Sequence, residues 1–186
     1  SNFYYRIKHF NHDWTLSNLS QNEYLKGFDN LRIENYKTSF NTLQPYTHYQ
    51  LELPNEQTQF LISGNYLVEI YNESDELVFS RKFLIYENRA EVNAAVFRTR
   101  DLKLYQTHQR VQFSINPNKG EYFRDPQNQL HVSILQNEQW NSIINNLKIY
   151  SAFYLGVLLE KKKIDPIVIP ITHFFTIIKF VFLSLI

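Results

Sequence analysis

Two histidines and an aspartate near the start of the chain form its most metal-like group of side chains. His9, His12 and Asp13 fall close together in the sequence, and imidazole nitrogens and carboxylate oxygens are both ligands of Zn²⁺. Their spacing at the end of a predicted strand is not diagnostic of a metal site, and unpatterned histidines are more often structural. We therefore expect a structural cluster, with Asp13 capping a turn, and neither a metal nor another cofactor.

Catalytic chemistry has little support in the sequence. The chain has no cysteine, which excludes thiol nucleophiles, disulfides and thiolate metal sites. Ser63-Gly64 lacks the Gly-x-Ser-x-Gly elbow of serine hydrolases, and a total of four glycines leaves little material for a phosphate-binding loop. The neighbouring carboxylates Asp75 and Glu76 fall in a stretch typical of a solvated hairpin loop. We predict a protein that is not an enzyme and has no small-molecule substrate.

The composition predicts a globular, mainly β protein. The chain has 186 residues, 44% hydrophobic and 16% aromatic, which suffices for one or two domains. Its formal net charge is only +1, whereas general nucleic-acid binders carry a strong basic footprint. We therefore expect no nucleic-acid partner.

Alternating polarity marks the positions of the strands. Residues 3–9 place aromatic and apolar side chains on one face and more polar ones on the other, and residues 49–53 do the same. Residues 66–70 and 78–82 flank 72–76, whose Asn, Ser and Asp suit a hairpin loop. Such a spacing of strands is typical of antiparallel sandwiches. Further strands are predicted at 91–99, 110–115 and 130–136.

Two short segments carry a helical signal. Ser20 and Glu23 form a Ser-x-x-Glu capping box, which predicts one or two helical turns ending before Gly27. The second segment spans 139–147, where four apolar residues recur at helical spacing. These are Trp140, Ile143, Ile144 and Leu147.

The stretch from residue 9 to residue 28, HFNHDWTLSNLSQNEYLKGF, is the most distinctive in the chain. Four more segments follow it, at 39–56, 63–71, 77–85 and 133–144. In this order they resemble the plug protein family of the type IX secretion system of Bacteroidota. The residues that carry the resemblance, here called the signature residues, are also the candidate interface: His9, Asp13, Trp14, Ser17, Asn18, Tyr24, Gly27, Phe28, Phe40, Asn41, Pro45, Tyr46, Tyr49, Gly64, Tyr66 and Trp140.

The resemblance implies a fold and a function. Residues 1–86 would form an immunoglobulin-like antiparallel β-sandwich whose opening strands are missing, and 88–148 the start of a second, truncated β domain, so we expect a fragment. Trp14 would pack on the sandwich with Leu19 and Phe28. The parent protein would be periplasmic and associated with the outer membrane. It would be a non-enzymatic secretion component that closes the periplasmic end of an outer-membrane translocon barrel.

Two other classes of function stay open. A generic β-sandwich adhesion or carbohydrate-binding module would line a groove with exposed aromatic side chains. A glycan-active enzyme would need facing carboxylates about 5 to 9 Å apart. The first of these is the stronger alternative, because the sequence offers the second only its general abundance of Asp and Glu.

The last part of the chain, residues 149–186, is apolar and lies beyond the resemblance. Residues 167–186 are long enough to span a membrane as a helix, at about 20 residues. Lys179 would then lie near the bilayer centre, at a cost of roughly 2.5 to 3.5 kcal/mol. We interpret this tail as non-native, from a changed reading frame or a misjudged gene end, in preference to a membrane-inserting segment.

Overall fold

The computed structural model describes residues 2–120, 122–135, 137 and 139–147, together with the backbone of four short strands after residue 150. The described chain is mainly β, with several antiparallel sheets, and is consistent with the predicted β-sandwich class. It divides into two compact units, Ser1–Glu87 and Asn88–Ile186. Each unit has its own hydrophobic core.

The first unit contains eight strands and one short helix within its described residues. Strands β1, β3, β7 and β8 form a four-stranded antiparallel sheet in the order β3-β1-β7-β8, while β2 pairs with β6 and β4 pairs with β5. The elements are β1 (Tyr4–Phe10), α1 (Gln21–Tyr24), β2 (Leu25–Gly27), β3 (Leu31–Arg32), β4 (Tyr36–Thr38), β5 (Thr47–Tyr49), β6 (Thr58–Phe60), β7 (Gly64–Tyr71) and β8 (Leu77–Ile85).

Strand β1 shows the alternation that the sequence predicts. Tyr5, Ile7 and His9 are buried, while the residues between them are half-buried. In the ladder with β7, Ile7 lies opposite Val68 and His9 opposite Tyr66. The buried face of β1 thus meets aromatic and aliphatic side chains from several other elements, and the core forms there: Tyr5, Ile7, Tyr24, Leu25, Ile33, Tyr66 and Ile70.

The predicted hairpin between β7 and β8 is confirmed. The side-chain Oδ1 of Asn72 accepts hydrogen bonds from the backbone N–H groups of Ser74 and Glu76, both at 2.9 Å. Asp75 has a left-handed backbone conformation, with φ at 60°, which Asp tolerates better than most residues. Local side-chain hydrogen bonds therefore close this loop.

The predicted capping box is also present. The backbone N–H and the hydroxyl of Ser20 both donate to Glu23 Oε2, at 2.7 and 2.8 Å. The predicted strand at 49–53, by contrast, ends at Tyr49. Its partner β4 begins at Tyr36, directly opposite Tyr49, and offers no strand beyond that point. Leu51 and Leu53 nevertheless pack against the core from an irregular segment.

The second unit contains a five-stranded and a three-stranded antiparallel sheet in its described residues. Strand β9 (Ala90–Arg98) pairs with β10 (His108–Pro117), and β11 (Leu130–Ile134) pairs with β12 (Ile144–Leu147). A short helix α2 (Pro126–Gln129) precedes β11. The predicted strands at 91–99, 110–115 and 130–136 are confirmed to within a few residues, residue 136 lying outside the described chain. The core consists of Val111, Phe113, Ile115, Leu130, Val132 and Ile134.

The helix predicted over 139–147 is wrong. A single 3-10 turn covers Trp140–Ser142, and Ile144–Leu147 is strand β12. The apolar residues have helical spacing, but residues 144–147 form a strand because β11 is present as a partner. In this pair Val132 lies opposite Leu147 and Ile134 opposite Ile144. Short apolar runs cannot be assigned to helix or strand from periodicity alone.

The side chains of the tail, 149–186, lie outside the described residues, as does most of its backbone. The described backbone consists of β13 (Ser151–Phe153), β14 (Gly156–Leu159), β15 (Ile169–Pro170) and β16 (Val181–Leu183). Strands β14 and β15 pair with β10, and β16 pairs with β11. Among the described residues, none of the helices has the length and hydropathy needed to cross a membrane.

Candidate interaction surface

The signature residues of the first unit separate into a buried group and an exposed group. The buried group surrounds His9, Tyr24 and Tyr66, at the contact between β1, α1 and β7. The exposed group, defined as Phe40, Asn41, Pro45 and Tyr46, lies on the loop that joins β4 to β5, and the other exposed signature residues, among them Asn18 and Phe28, lie outside this loop. The two groups have different physical roles, which follow from the burial and the contacts of their side chains.

An aromatic cluster holds the buried group together. His9 and Tyr66 are opposite each other in the β1–β7 ladder, and their ring centroids lie 5.0 Å apart in an edge contact. Tyr24 stacks on His9 at 5.6 Å, although it belongs to the helix α1. Edge and offset contacts of this kind add about 0.5 to 1.5 kcal/mol per pair to the stabilisation from burial. The cluster therefore ties α1 to the four-stranded sheet.

His9 is buried beneath Gly64. A Cβ placed on Gly64 would lie 2.3 Å from His9 Nε2, so only glycine leaves room for the imidazole. Neither ring nitrogen has a hydrogen-bond partner among the described residues. Burial lowers the pKa of His9, and the nearby backbone of Ser63 opposes part of that change. At neutral pH the ring is an uncharged packing group.

Tyr24 and Tyr66 satisfy their hydroxyl groups within the core. Tyr66 is fully buried and donates to the carbonyl oxygen of Ile62 at 2.8 Å. Tyr24 donates to the carbonyl oxygen of Ile7 at 3.3 Å. Burial raises the pKa of both phenols. Both side chains remain neutral donors, which suits a framework and not a proton-transfer site.

The loop after β1 uses its polar signature residues to hold its own shape. Asp13 Oδ1 accepts hydrogen bonds from the backbone N–H and the hydroxyl of Thr15, at 3.0 and 2.6 Å, which lowers the pKa of this carboxyl group. The expected turn at Asp13 is thus present. The backbone N–H of Ser17 donates to the carbonyl oxygen of His9 at 3.2 Å, and Asn18 is exposed. Among the described residues, no group of three His, Asp or Glu could hold a metal ion.

Trp14 contacts different residues from those expected. It is half-buried with a left-handed backbone, φ 64°, and its ring lies 5.9 Å from the Phe10 ring. The ammonium group of Lys82 lies 4.3 Å from the centroid of the indole. Phe28 is 81% exposed, so the predicted packing of Phe28 with Trp14 on the sandwich is wrong. The fold brings Trp14 onto β8, which sequence spacing does not reveal.

Gly27 is the second glycine that the fold requires. Its φ is 138°, and a Cβ at this position would lie 1.9 Å from the backbone oxygen of Gln57. Gly27 lies opposite Thr58 in the β2–β6 ladder. Because backbone atoms form the obstacle, the close approach of these two strands depends on glycine.

The exposed group forms the tip of the β4–β5 hairpin. Phe40 is 93% exposed, Tyr46 is 61% exposed, and Leu43 is fully exposed. Asn41, with φ at 55°, and Pro45 are exposed between them. Because these side chains are exposed, they add nothing to the stability of the core, and they are available for contact with another molecule. Leu43 is outside the signature residues and was missed by sequence reasoning.

Hydrogen bonds fix the shape of this tip. The backbone N–H of Ser39 donates to the carbonyl oxygen of Tyr46 at 2.8 Å, and the N–H of Tyr46 donates to the hydroxyl of Ser39 at 2.9 Å. Thr42 Oγ1 lies 3.0 Å from both the Ser39 hydroxyl and the carbonyl oxygen of Gln44, so its single proton is donated to one or shared between the two acceptors. The tip thus presents its apolar side chains on a closed loop.

The base of the hairpin is attached to the core by aromatic contacts. The ring centroid of Tyr49 in β5 lies 5.0 Å from that of Phe3, in an edge contact, and 5.4 Å from that of Tyr36 in β4. Beside this base is an open cleft with both polar and apolar surface, and its polar lining includes Arg32, Glu34, Asn35, Gln50 and Glu52. Trp140 belongs to the second unit, where it is half-buried at the start of the 3-10 turn.

Comparison with known proteins agrees with the resemblance seen in the sequence. Residues 1–87 match the family model described as the type 9 secretion system plug protein 1st domain. The crystal structure of a hypothetical protein from Parabacteroides merdae is similar, with a TM-score of 0.77 and 31% sequence identity. The similarity covers 86% of this chain and 40% of that one, so this chain spans less than half the length of its structural relative. No curated protein matches the sequence.

Proposed function

Residues 1–87 of this chain belong to the family of the type IX secretion plug protein first domain, and from that membership we propose a role in type IX secretion. The parent protein is a non-enzymatic component that closes the periplasmic end of the outer-membrane translocon barrel. It is periplasmic and associated with the outer membrane, and its partner is the barrel protein.

The division of the signature residues is the observation that carries this proposal. The two signature residues that could act in catalysis or metal binding, His9 and Asp13, instead stabilise the fold. His9 is buried, and the carboxylate of Asp13 accepts a hydrogen bond from the hydroxyl of Thr15. The exposed signature residues on the β4–β5 loop carry no charge, and two of them, Phe40 and Tyr46, are aromatic. A component that blocks an opening needs complementary surface with aromatic anchors and no reactive group.

Co-purification tests the proposal. The full-length parent protein, tagged at a terminus, is isolated from native envelopes in mild detergent, and the recovered proteins are identified by mass spectrometry. We expect the large outer-membrane barrel of the secretion system. Recovery without the barrel, together with hydrolase or transferase activity in the purified sample, would contradict both the plug role and its non-enzymatic character.

A glycan-binding module is the second candidate, and the cleft beside the hairpin favours it. Tyr36 is exposed and directly follows Asn35, which lines the cleft together with the amide of Gln50 and the carboxylate of Glu52. Sugar-binding sites combine an aromatic face with such polar groups. Affinity electrophoresis in gels that contain soluble polysaccharides distinguishes this candidate, since a plug component would migrate without retardation.

A further inference from the structure

The hairpin tip, defined as Phe40, Leu43 and Tyr46, has the properties of a docking element. All three side chains are exposed, and two of them exceed nine tenths of their full exposure. They stand on one closed loop, so little conformational freedom is lost when they bind. Binding hot spots are enriched in aromatic side chains that fill a pocket on the partner.

The tip of the hairpin carries no charge, which indicates the chemistry of its partner. From residue 38 to residue 51 the sequence contains no Asp, Glu, Lys or Arg. Segments that bind membrane surfaces through exposed apolar side chains normally add Lys or Arg for the anionic lipids. An uncharged apolar tip instead matches a pocket that is itself apolar and uncharged, with hydrogen-bonding groups at its rim for Asn41, Thr42 and Gln44.

The attachment of the hairpin supports the same reading. Tyr36 and Tyr49 contact each other across the β4–β5 ladder, and Tyr49 also contacts Phe3 next to β1. The base of the hairpin is therefore held against the core of the first unit. A flexible loop would bind more weakly, because ordering it on binding would cost affinity.

We propose that the hairpin tip inserts into an uncharged apolar pocket of the translocon barrel and anchors the first unit there. This inference rests on the proposed function and adds the contact surface to it. The other occupants, a second copy of the chain or a lipid surface, are outcomes of the test below.

The test compares two double variants of the full-length parent protein in the co-purification experiment. Phe40→Ser with Leu43→Ser removes the tip, and Leu102→Ser with Tyr122→Ser removes two side chains of the second unit that are 90% and 63% exposed. We expect the tip variant to recover at least about ten-fold less barrel, since two anchors are lost. The control variant should recover as much as the wild type, and all three proteins should melt at the same temperature.

The outcomes separate this inference from the proposed function. If the wild type recovers the barrel and the tip variant does so equally well, the docking role of the hairpin is overturned while the plug role stands. If the wild type recovers no barrel, the proposed function fails and the inference fails with it.

A photocrosslinking residue in place of Leu43 identifies the neighbour directly. We expect an adduct with the barrel protein and none from the same residue in place of Leu102. An adduct with a second copy of the chain overturns the inference. The inference is also overturned if the wild-type protein binds vesicles of phosphatidylethanolamine and phosphatidylglycerol and the tip variant does not.

Discussion

The aromatic cluster around His9 and the tip of the β4–β5 hairpin contain similar residues in opposite environments, one buried and one exposed. In the cluster, the rings of His9, Tyr24 and Tyr66 contact one another and are buried. At the tip, Phe40 and Tyr46 are exposed on a loop held by hydrogen bonds. A family signature is therefore a mixture of framework residues and candidate contact residues, and only their environments distinguish the two.

The practical consequence concerns how variants are interpreted. A substitution in the cluster is expected to reduce the stability of the fold, whereas one at the tip is expected, under the docking proposal, to weaken binding without a loss of stability. Measurements of stability and of binding must therefore be made on the same variants. The free energy of unfolding distinguishes the two kinds of residue, and we expect its largest change in the cluster and its smallest at the tip.

Replacing Tyr66 by alanine should be the most damaging change in the first unit. Tyr66 is fully buried and contacts His9, Phe60 and Phe83. Deleting a buried aromatic side chain costs about 3 to 5 kcal/mol, to which the lost hydrogen bond to Ile62 adds. Tyr66→Phe keeps the ring and should cost only about 1 kcal/mol. Urea denaturation gives both values, and equal costs would show that the ring is not part of the core.

The two glycines should respond to alanine in different ways. Gly27→Ala and Gly64→Ala both impose an unfavourable backbone conformation, which costs about 1 to 3 kcal/mol. At Gly64 the added methyl group meets the imidazole of His9, whereas at Gly27 it meets the backbone of Gln57. His9→Ala should therefore relieve part of the cost of Gly64→Ala and none of the cost of Gly27→Ala.

A double-mutant cycle measures this relief. The coupling between positions 9 and 64 should be favourable, within the range of about 0.5 to 3 kcal/mol found for residues in contact. Additive costs for His9→Ala and Gly64→Ala would show that the imidazole does not lie beneath Gly64.

His9 should make the stability of the first unit depend on pH. Because burial lowers its pKa in the folded state, the unfolded chain binds more protons once the pH falls below the ordinary histidine value of about 6.5. The free energy of unfolding should therefore be level above that pH and decline as the pH falls towards the folded-state pKa. Urea midpoints at pH 7.5 and 5.5 test this, with His9→Gln as the control that should flatten the decline.

The smallest effect on stability should come from the hairpin tip. Phe40→Ser removes a side chain that is almost wholly exposed, and such surface changes stay within about 0.5 kcal/mol of the wild type. A thermal melt of the variant is the measurement. A clear fall in melting temperature would place Phe40 in the framework and remove the distinction between the two regions.

Local patterns were enough to predict several elements. The alternation in residues 3–9 predicted the buried face of β1, and Asn72 with Asp75 predicted the loop between β7 and β8. Ser20 and Glu23 predicted the start of α1. Each of these depends on residues within a few positions of one another, so the chemistry is visible in the sequence. The segment 144–147 was predicted wrongly because its partner strand decides its conformation.

The mainly β class, the faces of the strands, the predicted turns and the plug-family likeness can be predicted from residues alone, because side-chain alternation, turn chemistry and ordered motifs are all local. Only the folded chain shows that His9 lies beneath Gly64, that Trp14 contacts Phe10 and Lys82, and that Phe40 and Leu43 face solvent. Burial is a property of what the rest of the chain places around a side chain. An aromatic residue in the sequence therefore predicts a strong contact, and the fold decides whether that contact is made inside the protein or offered to a partner.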